Sequence, residues 1–357
     1  MNDGLRTPRD RRVPAPDAEV DAAGAAAPDG YVVEVGPAER IHFLDWGGPS
    51  TGGGPPGGGR PRTDGIAPGR SAGILLIHGL SQTAWAWAPV ARRTRRVVRT
   101  IGMDLRGHGL SDAPTTGYDQ ATLVDDVLAV AEASGLLPPG IGDRSPTEAP
   151  GDDAIVLAGH GFGGIVAAWT AARLGRGCAG LVLVDGGWQD VREATGLEPA
   201  EWLGGLDEPP EVLRSMAAYL ADRAGFDPPT WDHDQEWAAR AAVVELPAGR
   251  IVSATRSHAL AGSVGAIFDY RPVETLSRVV APIIVLAAAD DEQGSSAAAL
   301  ARVQAARSAS RGTPIRVLSF PGSGHNLMRY HPDAVAEAAI SLAFAGGGAV
   351  GPSTIAP

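Results

Sequence analysis

From residue 74 onward, short apolar runs alternate with longer stretches in which apolar residues recur every three or four positions. The runs fall at 74–77, 97–103, 154–158, 181–184, 283–287 and 315–320. They are continuous rather than alternating and rich in Val, Ile and Leu, the pattern of strands buried on both faces. The stretches with helical spacing fall at 83–95, 121–134, 164–173, 297–308 and 332–344. Such alternation predicts βαβ units, hence an α/β fold with a mostly parallel sheet flanked by helices on both faces. Upstream, residues 31–46 alternate around Val33, Val35, Ile41 and Phe43, the two-residue period of an antiparallel hairpin.

Two regions break the rhythm. Residues 186–275 hold Trp188, Trp202, Trp231 and Trp237 with several acidic residues and no evident strand pattern. We read them as a helical cap inserted into a core formed by 31–185 and 276–345; its Trp residues either glue helices together or line a substrate site. Residues 47–69 contain 15 Gly or Pro among 23, too few apolar side chains for a packed core. Residues 1–30 are expected to be a disordered tail, and 346–357 a flexible one.

Composition narrows the chemistry. All 30 basic residues are Arg, against 41 acidic residues, for a net charge of -11. Without Lys there is no Schiff-base lysine and no P-loop lysine. The negative charge argues against nucleic acid, which is bound by neutralising phosphates. The single Cys178 excludes an intrachain disulfide framework and a multi-Cys metal site. Met1–Asp17 carries Arg and Pro but no apolar core of a secretory signal, and no apolar stretch approaches the roughly 20 residues of a bilayer span. A cytoplasmic protein with a small-molecule partner, no membrane or nucleic-acid partner, no metal and no cofactor is expected. The 48 Gly fit a coding bias shared with Ala, Pro and Arg, so an individual glycine is a weak signal here.

The candidate chemistry lies at the carboxyl ends of the predicted strands, where open α/β sheets place their sites. His78-Gly79-Leu80-Ser81 follows the run at 74–77. Asp104-Leu105-Arg106-Gly107-His108-Gly109-Leu110-Ser111-Asp112 follows the next. Gly159-His160-Gly161-Phe162-Gly163-Gly164 joins a strand to a helix. Asp290-Asp291 and then Gly324-His325 follow the last two strands. This order of motifs resembles the α/β-hydrolase superfamily over about residues 31–344. The resemblance implies acyl transfer by a nucleophile, a histidine base and an orienting acid. His325 matches the base. Asp291 matches the acid, nine residues after Pro282, with its neighbour Asp290 and the strand-closing Asp185 as alternatives. The backbone N–H groups of Leu80 and Phe162 match the oxyanion donors. His78, Gly79, Ser81, His160 and Trp188 are the candidate pocket residues.

The departure is at the nucleophile. The family's G-x-S-x-G reads Gly159-His160-Gly161-Phe162-Gly163, so position 161 offers no side chain. Three accounts are open: an enzyme in which His325 activates water or abstracts a proton, a non-catalytic ligand-binding protein, or a residue exchanged to trap a substrate. Loss of a triad nucleophile costs on the order of 10⁶-fold in kcat in subtilisin, which disfavours ordinary serine esterase chemistry. Ser81 is a candidate substitute nucleophile, although a turn or helix-cap role is commoner for such a residue.

The same six residues also fit G-x-G-x-x-G through Gly159, Gly161 and Gly164, with Asp185 about 20 residues on, the dinucleotide fingerprint. That reading leaves the His78 and His325 motifs unexplained; a small anion at the helix start stays open. Asp104 and Arg106 are expected to form a structural ion pair, His160 to be a packed core residue, Asp232-His233-Asp234 to be a solvated loop rather than a metal site, and Cys178 to be buried and inert. His42, His258 and His331 carry no argument.

Overall fold

A computed structural model describes residues 27–49, 72–141, 154–206, 215–247, 249–288, 295–310 and 312–345. The expected tails and most of the Gly/Pro-rich stretch lie outside the described residues. The strands are β1 (Asp29–Gly36), β2 (Glu39–Gly47), β3 (Gly73–Ile77), β4 (Thr100–Met103), β5 (Ile155–His160), β6 (Cys178–Val184), β7 (Val243–Glu245), β8 (Ile251–Ser253), β9 (Ile283–Ala288) and β10 (Arg316–Phe320). The helices are α1 (Ala88–Thr94), α2 (Gln120–Ala133), α3 (Phe162–Leu174), α4 (Val191–Thr195), α5 (Pro199–Gly204), α6 (Met216–Phe226), α7 (His233–Ala241), α8 (Ser257–Asp269), α9 (Pro272–Arg278), α10 (Ser295–Ala309), α11 (Leu327–Tyr330) and α12 (Pro332–Phe344). None is long and apolar enough to cross a membrane, among the described residues.

Eight strands form one sheet in the order β1-β2-β4-β3-β5-β6-β9-β10. The hairpin β1–β2 joins β4 antiparallel, and every other neighbour is parallel. Successive side chains point to opposite faces, which explains the continuous apolar runs. Leu75, Ile77, Leu157, Leu181, Leu183 and Val285 pack beneath α2 and α3. Ile74, Leu76, Val156, Val182, Val184 and Leu286 pack on the other face with α1 and α12. Strand β10 departs from the expected buried pattern: as an edge strand it is largely exposed.

The helix expected at 83–95 opens with a 3-10 turn, Ala84–Trp87, and Pro89 at the start of α1 suits its preset φ to the first helical turn. The segment between β6 and β9 carries α4–α9, and α9 runs past residue 275. It also holds the antiparallel pair β7–β8, which was not expected. Three residues per strand are too few to show a period, and the pair is closed by a turn at Gly249, φ 73°. Two of its tryptophans pack against neighbouring rings. Trp237 stacks on Trp85 at 5.3 Å, and Trp202 meets Phe268 at 6.0 Å. Asp234 accepts two bonds from Arg92 Nε, both 3.0 Å, and the Arg92 guanidinium lies over Trp46.

Arg307 is a fully buried arginine that donates to backbone carbonyl oxygens and to the Thr313 hydroxyl. It donates to Leu276, Val279 and Ala281 at 2.8, 2.6 and 3.2 Å and to Thr313 at 3.2 Å, fastening the end of α9 and the entry to β9 onto α10. We predict that Arg307→Met loses roughly 3 kcal/mol or more, because several buried acceptors lose their donor at once. Gly265→Ala in α8 is the contrast: a Cβ there meets nothing within 4 Å, so helix propensity should raise stability by about 0.5–1 kcal/mol. Urea unfolding of both variants reads these effects.

Three histidines are buried beneath the carboxyl ends of the strands: His78, His108 and His160. Burial lowers the pKa of His78, and pushes those of His108 and His160 down to about 3. In the unfolded chain each takes a proton below about 6.5. Between these values the unfolded state binds more protons, so stability rises with pH across that window and is lost as pH falls. At pH 5 each of His108 and His160 should cost about 2 kcal/mol relative to pH above 7. Thermal melts from pH 4.5 to 7.5 should show this slope, and His108→Gln should flatten it; an unchanged slope counts against the assignment.

Candidate active site

The turn between β5 and α3 is built by backbone lying against backbone. A Cβ on Gly159 would lie 2.1 Å from the Gly163 carbonyl oxygen, and one on Gly163 would lie 2.2 Å from that of Ile77. A Cβ on Gly164 would meet the Gly186 carbonyl at 2.8 Å. These glycines let α3 start directly over the ends of β3 and β6. Gly161, at φ 51° and ψ -116°, precedes the helix. A Cβ there would meet nothing closer than His325 Nε2 at 3.3 Å, then His325 Cε1 at 3.7 Å and Gly79 Cα at 3.9 Å.

His325 lies in the loop after β10, with its side chain 63% exposed. Its Nδ1 is 2.5 Å from Asp185 Oδ2, so the ring proton on Nδ1 is donated to the carboxylate. Nε2 is left as the basic nitrogen, facing position 161. Asp185 follows β6 with φ 43°, an unusual conformation for a non-glycine residue. Its N–H donates to the Leu286 carbonyl at 2.8 Å, and its Oδ1 accepts the Ala288 N–H at 2.9 Å. Two bonds to β9 thus fix the acid while its second oxygen meets the histidine. The carboxylate on His325 is therefore Asp185, the third of the sequence candidates; Asp290 and Asp291 lie outside the described residues.

The His78 loop is braced from both sides. His78 Nδ1 donates to the Gly79 carbonyl at 2.7 Å, and its Nε2 accepts the Leu105 N–H at 2.9 Å. With 0% exposure it supports the loop and presents no surface to a ligand. Ser81 is exposed at φ 58°. Gln82, which the sequence reading did not single out, holds the loop to the elbow. Its Oε1 accepts the Gly79 N–H at 3.0 Å and faces His160 Nδ1 at 2.9 Å. His160 Nε2 in turn lies 3.1 Å from the His325 carbonyl oxygen. Ser323, also not anticipated, donates to His331 Nε2 at 2.6 Å and ties the His325 loop to the start of α12. These contacts span many residues or reach backbone groups, so no local pattern announces them. Trp188 is buried at 2%, and its indole N–H donates to Ser296 Oγ at 2.9 Å.

Other candidates have structural partners. The expected Asp104–Arg106 pair is replaced. Arg106 binds Asp126 on α2 through Nε and Nη2 at 2.6 and 2.7 Å. Asp104 accepts from His42 Nδ1 at 2.8 Å and from the Ala84 and Leu110 N–H groups. Asp104 is drawn to His42 on β2 and to the Ala84 N–H, whereas Arg106 is drawn to Asp126 on α2. Asp232 caps α7 through the Gln235 N–H, His233 accepts the Trp237 indole N–H, and Asp234 takes Arg92. Cys178 is buried, which pushes its thiol up to about 12. A cavity of about 1080 Å³ opens between α2, α3 and α8, lined by Tyr118, Trp169 and His258 among others. It includes neither Gly161 nor His325.

Known proteins resemble this chain in sequence and in fold. Among curated proteins, a 118-residue stretch is 31% identical to N-formylmaleamate deformylase of Pseudomonas putida, covering 33% of this chain and 38% of that protein. A 57-residue stretch is 37% identical to 2-(acetamidomethylene)succinate hydrolase of Mesorhizobium japonicum, covering 16% of this chain and 20% of that protein. The matched stretches thus span well under half of these relatives. Among solved structures, E-2-(acetamidomethylene)succinate hydrolase superposes with a TM-score of 0.64 at 20% identity, over 89% of this chain and 99% of that one. At that identity the likeness concerns the fold. The model of the alpha/beta hydrolase family matches residues 74–338, well over half of the chain, and the protein belongs to that family.

Proposed function

We propose that the protein is an enzyme acting on a small ester, lactone, amide or activated carbonyl compound without a side-chain nucleophile. One observation carries the reading. His325 is oriented by Asp185 and aims Nε2 at position 161, where a nucleophile's Cβ would lie 3.3 Å away. Water beside Nε2 gives its proton to His325 and attacks the carbonyl carbon. The Leu80 and Phe162 N–H groups receive the developing oxyanion, and both are backbone donors unaffected by the glycine. The leaving group takes the proton from His325. The names of the two curated relatives bring acylated nitrogen within the substrate range.

The alternative is a ligand-binding protein on the same scaffold. The conformation at Gly161 costs a non-glycine residue roughly 1–3 kcal/mol, so stability alone favours glycine once catalysis is gone. Dinucleotide binding through Gly159, Gly161 and Gly164 has less support, because the Asp185 carboxylate already holds His325 and the Ala288 N–H.

A panel of chromogenic esters separates these readings. The native protein is expected to exceed the uncatalysed rate by on the order of 10³–10⁴, the residue left by an oxyanion hole and binding. His325→Ala should remove most of it. Asp185→Asn should lower kcat by about 10² or more, while Asp291→Asn should change little. Gly161→Ser should add a burst of acyl-enzyme. Silence of both the native protein and Gly161→Ser would exclude the enzyme.

A further inference from the structure

His325 sits on an exposed loop, so burial does not hold its ring: the side chain is 63% exposed. Asp185 fixes one edge, at Nδ1. The backbone that carries it is a tight turn. Asn326, at φ -87° and ψ 71°, is the centre of an inverse γ-turn in which the Leu327 N–H donates to the His325 carbonyl at 3.1 Å. That carbonyl has a second lone pair, and His160 Nε2 lies 3.1 Å from the oxygen. The two rings also lie against each other, with centroids 4.4 Å apart. On its other edge the His160 ring touches the loop after β3. A Cβ on Gly79 would come within 2.6 Å of its Nδ1, and Gln82 Oε1 lies 2.9 Å from the same atom.

Both ring nitrogens of His160 thus face oxygens, and a neutral imidazole has one N–H to give. Burial keeps this ring neutral. Gln82 Oε1 already receives the Gly79 N–H at 3.0 Å, and its amide can turn about a broad terminal torsion. The His325 carbonyl is fixed in the backbone, and its other donor is the bent bond of a three-residue turn. It is therefore the oxygen that gains more from the proton. We infer that His160 is a positioning residue for the base: its one ring proton sits on Nε2 and is donated to the His325 carbonyl, holding the turn so that His325 Nε2 stays over position 161. This rests on the proposed role of His325 as base. Because His160 closes β5, the sheet rather than a loop supplies the donor. A neutral ring there also leaves the positive charge of turnover to His325 beside Asp185, since a charged neighbour 4.4 Å away would oppose it. His160 itself makes and breaks no substrate bond.

The test uses the full chain carrying isotope-labelled histidine, read by proton–nitrogen NMR, with a chromogenic ester for turnover. In the native protein the His160 proton is expected on Nε2, and the His325 Nδ1 proton on Asp185 should give a sharp far-downfield signal. His160→Phe keeps a buried ring but offers no donor. It should broaden or remove the downfield signal and lower kcat by about 10- to 100-fold with KM little changed. His160→Gln, whose amide N–H can reach the same carbonyl, should restore most of both. A His160 proton found on Nδ1 overturns the inference. So does a His160→Phe variant with native signal and native kcat; a lower melting temperature alone would mark a core residue only. Should His160→Phe fail to fold, the tautomer in the native protein and the His160→Gln variant decide. If the native protein turns over no ester, the base reading falls, while the tautomer and the downfield signal still decide the positioning.

Discussion

Backbone lies on backbone at the turn after β5, and the site depends on that contact. The Gly159, Gly163 and Gly164 positions each lack room for a Cβ, and a Cβ on Gly186 would approach Gly161 Cα to 2.6 Å. This packing draws the start of α3 down over β3, β5 and β6. It thereby brings the loop after β3, the elbow and the residue closing β6 within reach of one another. A side chain at any of these positions would separate the loops, and the alignment of Asp185, His325 and position 161 would go with it.

Gly161 belongs to this cluster in conformation but not in packing. Its φ of 51° favours glycine, as a tight strand-to-helix turn does. The tightest contact of its Cβ position is a side-chain atom, His325 Nε2 at 3.3 Å, not backbone. The neighbouring glycines are therefore required by space, whereas at 161 the missing side chain removes chemistry rather than a clash. The surrounding parts do not depend on it. The His325 ring is held by a carboxylate anchored to β9, and the Gly79 backbone is held by His78 and Gln82.

The acid shows why spacing alone leaves a site ambiguous. Strands β6 and β9 are parallel neighbours, so their carboxyl ends open onto the same point. A carboxylate after either strand is therefore compatible with the order of motifs. The Asp185 N–H on Leu286 and the Ala288 N–H on Asp185 bind the two ends together and give the His325 contact to the residue closing β6. Arg106 tells the same story. Proximity in sequence suggested Asp104, but the partner lies on α2, 20 residues away.

The sequence by itself determined the sheet and its two helical layers. Those rest on local periodicities, apolar runs for strands buried on both faces and three-to-four spacing for helices, that each segment carries within itself. It also determined the family and the absence of a side chain at 161, which are matters of residue type and order. Only the tertiary structure decided which carboxylate meets His325, that Gln82, His160 and Ser323 brace the site, that Trp188 is buried, and that β7 and β8 pair. Each of these is a contact between positions that no local pattern links, and its geometry exists only after the strands have been placed side by side.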